Sequence, residues 1–155
     1  AGNGILGIGT AFLGAQHVTM IECDSDAMDV LQANAKNIEE IASSVIQNKK
    51  IDGGPLSLEP HVDMAIMNPP WGVQTARADR VFFDTVFAMN IPIIHFIHST
   101  EAQHLQTIAE SNGYDLQSIH QDNFRLPATY AHHSKAKAST PIRCYRLEKK
   151  GYEPM

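Results

Sequence analysis

Cysteine is scarce in this chain: Cys23 and Cys144, far apart in sequence, are the only two among 155 residues. That count argues against a disulfide framework or a zinc ribbon and fits a reducing cytosolic or nuclear setting. Long apolar runs are also missing. No stretch approaches the ~20 residues that a membrane helix needs, so we expect no membrane span. The opening residues do not read as a signal peptide. Charge is sparse at 19%, against 43% hydrophobic residues, a balance of a globular chain with a real core. The net charge of −5 argues against strong, freestanding nucleic-acid binding. It is unevenly spread: residues 1–67 hold nine acidic and three basic residues, whereas residues 131–150 hold six basic residues and only Glu148 as an acid. The second stretch is either a solvated face or one that meets a polyanion.

Apolar spacing orders the chain into alternating elements. A Gly-rich start, Ala1-Gly2-Asn3-Gly4, leads into an apolar helix from Ile5 to Leu13, and His17 to Glu22 reads as a short strand. Ser25 to about Glu39 has helical spacing at Ala27, Val30, Leu31, Ala35 and Ile38, with Ser25 or Asp24 as N-cap. Ser44 to Gln47 is a weak strand, followed by the turn signal Asp52-Gly53-Gly54-Pro55. A strand over 62–67, a helix near 79–90, a strand from Ile93 to His98 and a helix near 100–112 come next. Two longer strands, about 114–125 and 140–147, close the chain. Such alternation predicts an α/β fold with a parallel sheet and a C-terminal antiparallel hairpin, built as one domain over 1–155. A Gly-rich loop with no strand ahead of it leads us to expect that a first strand precedes Ala1.

The most informative residues are Asn68-Pro69-Pro70-Trp71, set directly after the apolar run 62–67. In a parallel sheet, ligands sit beyond the carboxyl ends of the strands, and this segment occupies such an end. The Asn68 side-chain oxygen and the Pro69 carbonyl can both accept from a planar NH2 group while the Trp71 ring stacks on it. Pro69 and Pro70 hold those acceptors still, because each fixes φ near −65° and brings no N–H donor. This arrangement suits an amine nitrogen with its lone pair turned toward an electrophilic methyl. A plain Pro-Pro turn beside a half-buried Trp is the alternative. Two histidine pairs invite a metal reading, but His95 and His98, three apart on a strand, face opposite sides. His132-His133 has no convergent Cys or carboxylate partner in sequence. We therefore expect no metal.

Together, NGILGIGTAFLGA (3–15), ECDSDAM (22–28), MNPPWG (67–72) and LPATYAHHS (126–134) resemble a class I S-adenosylmethionine-dependent methyltransferase of the amino-methylating type. Within it, the likeness is to the small-subunit rRNA N6-adenine methyltransferases (methyltransferase-like protein 5 and archaeal relatives), from Gly2 to about Leu147. The resemblance implies a Rossmann-like fold and S-adenosyl-L-methionine as cofactor, with RNA as substrate. It makes Gly2 and Gly4 the tail of a D-x-G-x-G-x-G loop against the methionine part of that cofactor. Glu22 becomes the acceptor for its ribose hydroxyls, with Asp24 beside it as a cofactor-side or helix-capping acid. Asp52 is the nearest candidate for the adenine amino group, or a turn aspartate. Asn68, Pro69, Pro70 and Trp71 become the catalytic loop, and Tyr130, His132, His133, Lys135 and Lys137 an RNA-guiding element. A small zinc-binding activator subunit of the Trm112 type is the implied partner. Rival readings are a protein glutamine-amide methyltransferase, which shares the loop logic, and an inactive methyltransferase fold used as a binding module. A nucleotide-dependent oxidoreductase accounts for the glycines and Glu22 but not for Asn68 to Trp71.

Overall fold

The structure, a computed structural model, describes residues 1–58, 61–70, 78–99, 104–125 and 139–153. They form two compact units, one of residues 1–62 and 81–89, the other of residues 63–80 and 90–155.

In the first unit, helix α1 (Ile5–Phe12) leads to strand β1 (His17–Glu22), helix α2 (Ser25–Ala35) and strand β2 (Ser43–Asn48). β1 and β2 pair in parallel, with Met20 opposite Ile46 and Glu22 opposite Asn48. α2 starts where the sequence predicts, because Asp24 accepts from Asp26 N at 2.9 Å and Ala27 N at 3.0 Å and satisfies two orphan donors of the first turn. It stops earlier than predicted. After Ala35 the chain tightens into a 3₁₀ turn over Lys36–Ile38, where the Asn37 side chain donates to Asn34 O at 2.8 Å. An Asn that bonds nearby backbone competes with the helical ladder, which apolar spacing cannot register. The core gathers Val18 and Met20 from β1, Met28 and Leu31 from α2, and Ile38. Leu31 and Ile38 are fully buried, each a contribution of about 1.5–3 kcal/mol from transfer out of water. Helix α3 (Arg80–Ala88) buries Phe83 and Val86.

The second unit holds a four-stranded sheet. Strand β3 (Met64–Met67) pairs in parallel with β4 (Ile93–Ser99), and β4 pairs antiparallel with β6 (Ser139–Lys149). β6 also pairs antiparallel with β5 (Tyr114–Arg125), giving the order β3-β4-β6-β5. Helix α4 (His104–Ser111) precedes β5. The predicted hairpin is present, and its second strand, β6, is the one inserted beside β4. β3 begins at Met64, two residues later than predicted, since exposed Asp63 is a poor strand former. β6 runs two residues further than predicted, because Lys149 pairs with Tyr114 and its N–H also bonds Pro92 O at 2.9 Å. Cross-strand neighbours Phe96 and Tyr145 stack with ring centroids 5.1 Å apart. The Tyr114 hydroxyl donates to Ile91 O at 2.8 Å, and burial pushes its phenol pKa up. No helix among the described residues is long and apolar enough to cross a membrane.

Candidate active site

The Gly-rich start folds into a turn whose glycines answer to different constraints. Gly4 sits at φ 86°, and a Cβ there would lie 2.5 Å from Leu31 Cδ1, so both backbone and packing demand glycine. Gly7 is demanded by packing alone: a Cβ would meet Met20 Cγ at 2.7 Å, where α1 closes on β1. Gly2 is also left-handed, at φ 59°, yet its missing Cβ would point into open space. Asn34 of α2 ties the turn down by donating to Asn3 O at 2.9 Å.

Glu22, the last residue of β1, holds this turn. Its Oε2 accepts from Gly2 N at 2.6 Å and from the Ala1 nitrogen at 2.8 Å, while Oε1 accepts from Cys23 N at 2.7 Å and Asp24 N at 2.9 Å. Four donors fill the acceptor sites of one carboxylate. The hydrogen bond from the Ala1 nitrogen, then that from the Asp24 N–H, outweigh the cost of burial and lower its pKa, with the Gly2 and Cys23 N–H groups adding to the shift. The structure thus brings Gly2, Gly4 and Glu22 together as the sequence predicts. Glu22 beside the open face of Gly2 fits the ribose end of a nucleoside cofactor, provided that the Ala1 and Gly2 donors yield Oε2 to its hydroxyls. Asp24 uses Oδ1 to cap α2. Asp52 is exposed and accepts from Gly54 N at 3.0 Å, the hydrogen bond of an Asx turn.

In the second unit, Asn68 is exposed at the carboxyl end of β3 and Pro69 behind it is buried. Met67 is registered against Phe96 of β4, so this end of β3 lies beside the carboxyl end of β4. Trp71, Tyr130, His132, His133, Lys135 and Lys137 lie outside the described residues. His95 and His98 do occupy opposite faces: His98 is buried on the side of Ile94 and Phe96, and His95 stands opposite Arg146. Burial, then the Arg146 guanidinium, lowers the His95 pKa.

Beside that end the structure assembles a cluster that sequence reasoning missed. Asp79 Oδ2 lies 3.2 Å from His98 Nε2 and 3.0 Å from His104 Nε2. Its signal was present in period 2, which puts His98 on the same face as Ile94 and Phe96. A histidine on a core face needs a polar partner.

Residues 1–116 match the family model described as Conserved hypothetical protein 95. The chain is 30% identical over 143 residues to METTL5 of Danio rerio, named an rRNA N(6)-adenosine-methyltransferase, covering 91% of this chain and 69% of that protein. The chain is a member of the METTL5 methyltransferase family. Another relative at 30% identity is MJ0284 of Methanocaldococcus jannaschii, an uncharacterised protein, over 98% of this chain and 72% of that one. The crystal structure of PH1948 from Pyrococcus horikoshii, a proposed RNA methyltransferase, superposes with a TM-score of 0.77 at 27% identity, covering 96% of this chain and 71% of that one. For this METTL5-family chain the match bears out the α/β fold predicted from the alternation of elements and the Rossmann-like form that the resemblance implied.

Proposed function

We infer that this chain transfers a methyl group to the exocyclic N6 of an adenine in structured RNA, with small-subunit rRNA as substrate. The observation that carries this reading is the exposed Asn68 at the carboxyl end of a parallel strand, backed by buried Pro69, in a chain of the METTL5 family. An S-adenosylmethionine-type cofactor supplies the electrophilic methyl when bound, and Gly2, Gly4 and Glu22 are the residues we assign to hold it. Asn68 and the Pro69 carbonyl are assigned to the adenine amine. Accepting hydrogen bonds from both amine N–H groups lets nitrogen move toward sp3 and stabilises the positive charge that develops on it as the methyl–sulfur bond would break, the thioether leaving and the extra proton passing to solvent. Much of the remaining acceleration comes from holding amine and methyl in line. The adenine must leave its stack to enter, and Trp71 is assigned as its replacement stacking partner.

Lys135 and Lys137 are assigned to the RNA backbone, the role expected of cations in an otherwise acidic chain. We also propose a small zinc-binding activator subunit of the Trm112 type as partner. Co-expression with such a subunit should raise activity and solubility; full activity and monodispersity of the enzyme alone count against it. Single-turnover methylation of rRNA, read by mass spectrometry as N6-methyladenosine, tests the function. A methylated glutamine in a protein, with no modified adenine in any RNA tried, would transfer the chain to the protein-methylating class.

A further inference from the structure

Asp79, His98 and His104 converge at the carboxyl edge that carries Asn68, and no role has been given to them above. Asp79 and His98 are 5% and 2% exposed, whereas the His104 side chain is half exposed. All three are potential metal ligands, with one ligand atom from each lying within 4.8 Å of the others. The hydrogen bonding argues against a metal. Ser99 N–H donates to His98 Nδ1 at 2.9 Å, so Nδ1 is the unprotonated nitrogen and Nε2 carries the proton. That Nε2–H points at Asp79 Oδ2 and has no lone pair to offer an ion. A ligating histidine has the opposite arrangement, its second nitrogen donating outward. The cluster is therefore one carboxylate oxygen shared by two imidazoles. Burial is the largest influence on His98 and lowers its pKa despite Asp79, in keeping with a neutral ring.

The placement of the three residues suggests what the cluster does. Asp79 immediately precedes α3, at the far end of the segment that leaves β3 through Asn68-Pro69-Pro70. His98 is the penultimate residue of β4 and His104 the first of α4. One buried carboxylate thus joins the residue ahead of α3 to the carboxyl end of β4 and to the start of α4. We propose that Asp79, acting through His98 and His104, is a positioning residue that fixes the carboxyl end of β4, beside which the β3–β4 register sets Asn68. This rests on the function inferred above. Asn68 needs such an anchor because its acceptors must stay aligned with the amine, and misplacement of about 1 Å can cost on the order of a hundredfold in rate.

The test is single-turnover methylation of rRNA by the enzyme, with cofactor affinity measured in parallel by calorimetry. Asp79→Ala should lower the rate constant at saturating RNA on the order of tenfold to a hundredfold, with cofactor affinity unchanged. Asp79→Asn keeps an oxygen for the two imidazole N–H groups and should recover most of that loss. If Asp79→Ala does not fold, the exposed His104→Ala should still show a smaller loss in rate at unchanged cofactor affinity. Imidazole 15N shifts should report His98 as the neutral Nε2–H tautomer, a readout independent of activity. Three results would overturn the proposal: a wild-type rate in Asp79→Ala, an Asp79→Asn as slow as Asp79→Ala, or a stoichiometric metal lost with Asp79. A wild-type rate in Asp79→Ala beside an inactive Asn68→Ala would sink this inference alone. Absence of adenine methylation by the wild-type enzyme would sink the function, with the imidazole shifts still judging the geometry.

Discussion

Glu22 accepts the Gly2 N–H at 2.6 Å, joining the end of β1 to the glycine turn that opens α1. The contact spans twenty positions of sequence and brings together an acid and a glycine that the sequence could only nominate separately. It also sets a condition on any ligand there. Oε2 is shared between Gly2 and the Ala1 nitrogen, and Oε1 between Cys23 and Asp24, so a ribose hydroxyl enters by displacing a backbone donor.

Glu22→Ala should therefore weaken cofactor binding through two routes, loss of the ribose acceptor and release of the turn. A hydrogen bond to a charged group is worth roughly 1.5–3 kcal/mol, so calorimetry should show at least about a tenfold rise in Kd. Unchanged affinity would remove Glu22 from the site.

The glycines should separate packing from ligand access. Gly4→Ala forces a Cβ into Leu31 and strains the left-handed backbone, with an expected loss of about 2–4 kcal/mol in denaturant unfolding. Gly2→Ala meets no atom and should cost only about 1–2 kcal/mol of backbone strain, while its methyl enters the open space to which we assign the cofactor. Equal stability losses in the two variants would contradict the packing described.

Asn68→Ala should abolish transfer while leaving cofactor affinity nearly intact. One preorganised hydrogen bond to a charge-developing atom is worth ~3 kcal/mol, on the order of a hundredfold or more in single-turnover rate. Trp71→Ala should weaken RNA engagement by about 1–3 kcal/mol, with Trp71→Phe retaining most activity. Lys135→Ala with Lys137→Ala should weaken RNA binding in a salt-dependent manner and spare the transfer step. Loss of cofactor binding in Asn68→Ala would reassign that residue from the amine to the cofactor.

Stability should fall with acid in two windows. The folded pKa values of His95 and His98 lie below the ordinary 6.5, so the unfolded chain takes up those protons first. Their stabilisation is fully present above about pH 6.5 and is lost as pH falls below it. Glu22, whose backbone donors hold its carboxyl below the ordinary 4.5, contributes above pH 4.5 and loses its contribution as pH falls below it. Thermal melts across pH should show both declines, the first flattened in a His95→Gln, His98→Gln double variant and the second in Glu22→Gln. A melting temperature that stays level from pH 7 to 5 would contradict the buried neutral imidazoles.

What the sequence determined by itself was local. Among the described residues apolar spacing located the α-helices and strands but not the 3₁₀ turn at Lys36–Ile38, since a period of 3.6 or 2 is written in neighbouring residues, and Asp24 marked a helix start for the same reason. It also put Glu22 and Asn68 at the ends of parallel strands. Tertiary structure decided whatever depends on residues meeting from afar. It set β6 between β4 and β5 through cross-strand pairing, and it made Gly7 obligatory through the Met20 side chain. It brought Asp79 to His98 and His104, 19 and 25 positions away. A buried carboxylate and two imidazoles have no periodic signature. Only the fold decides which polar groups are withdrawn from water together and must satisfy one another.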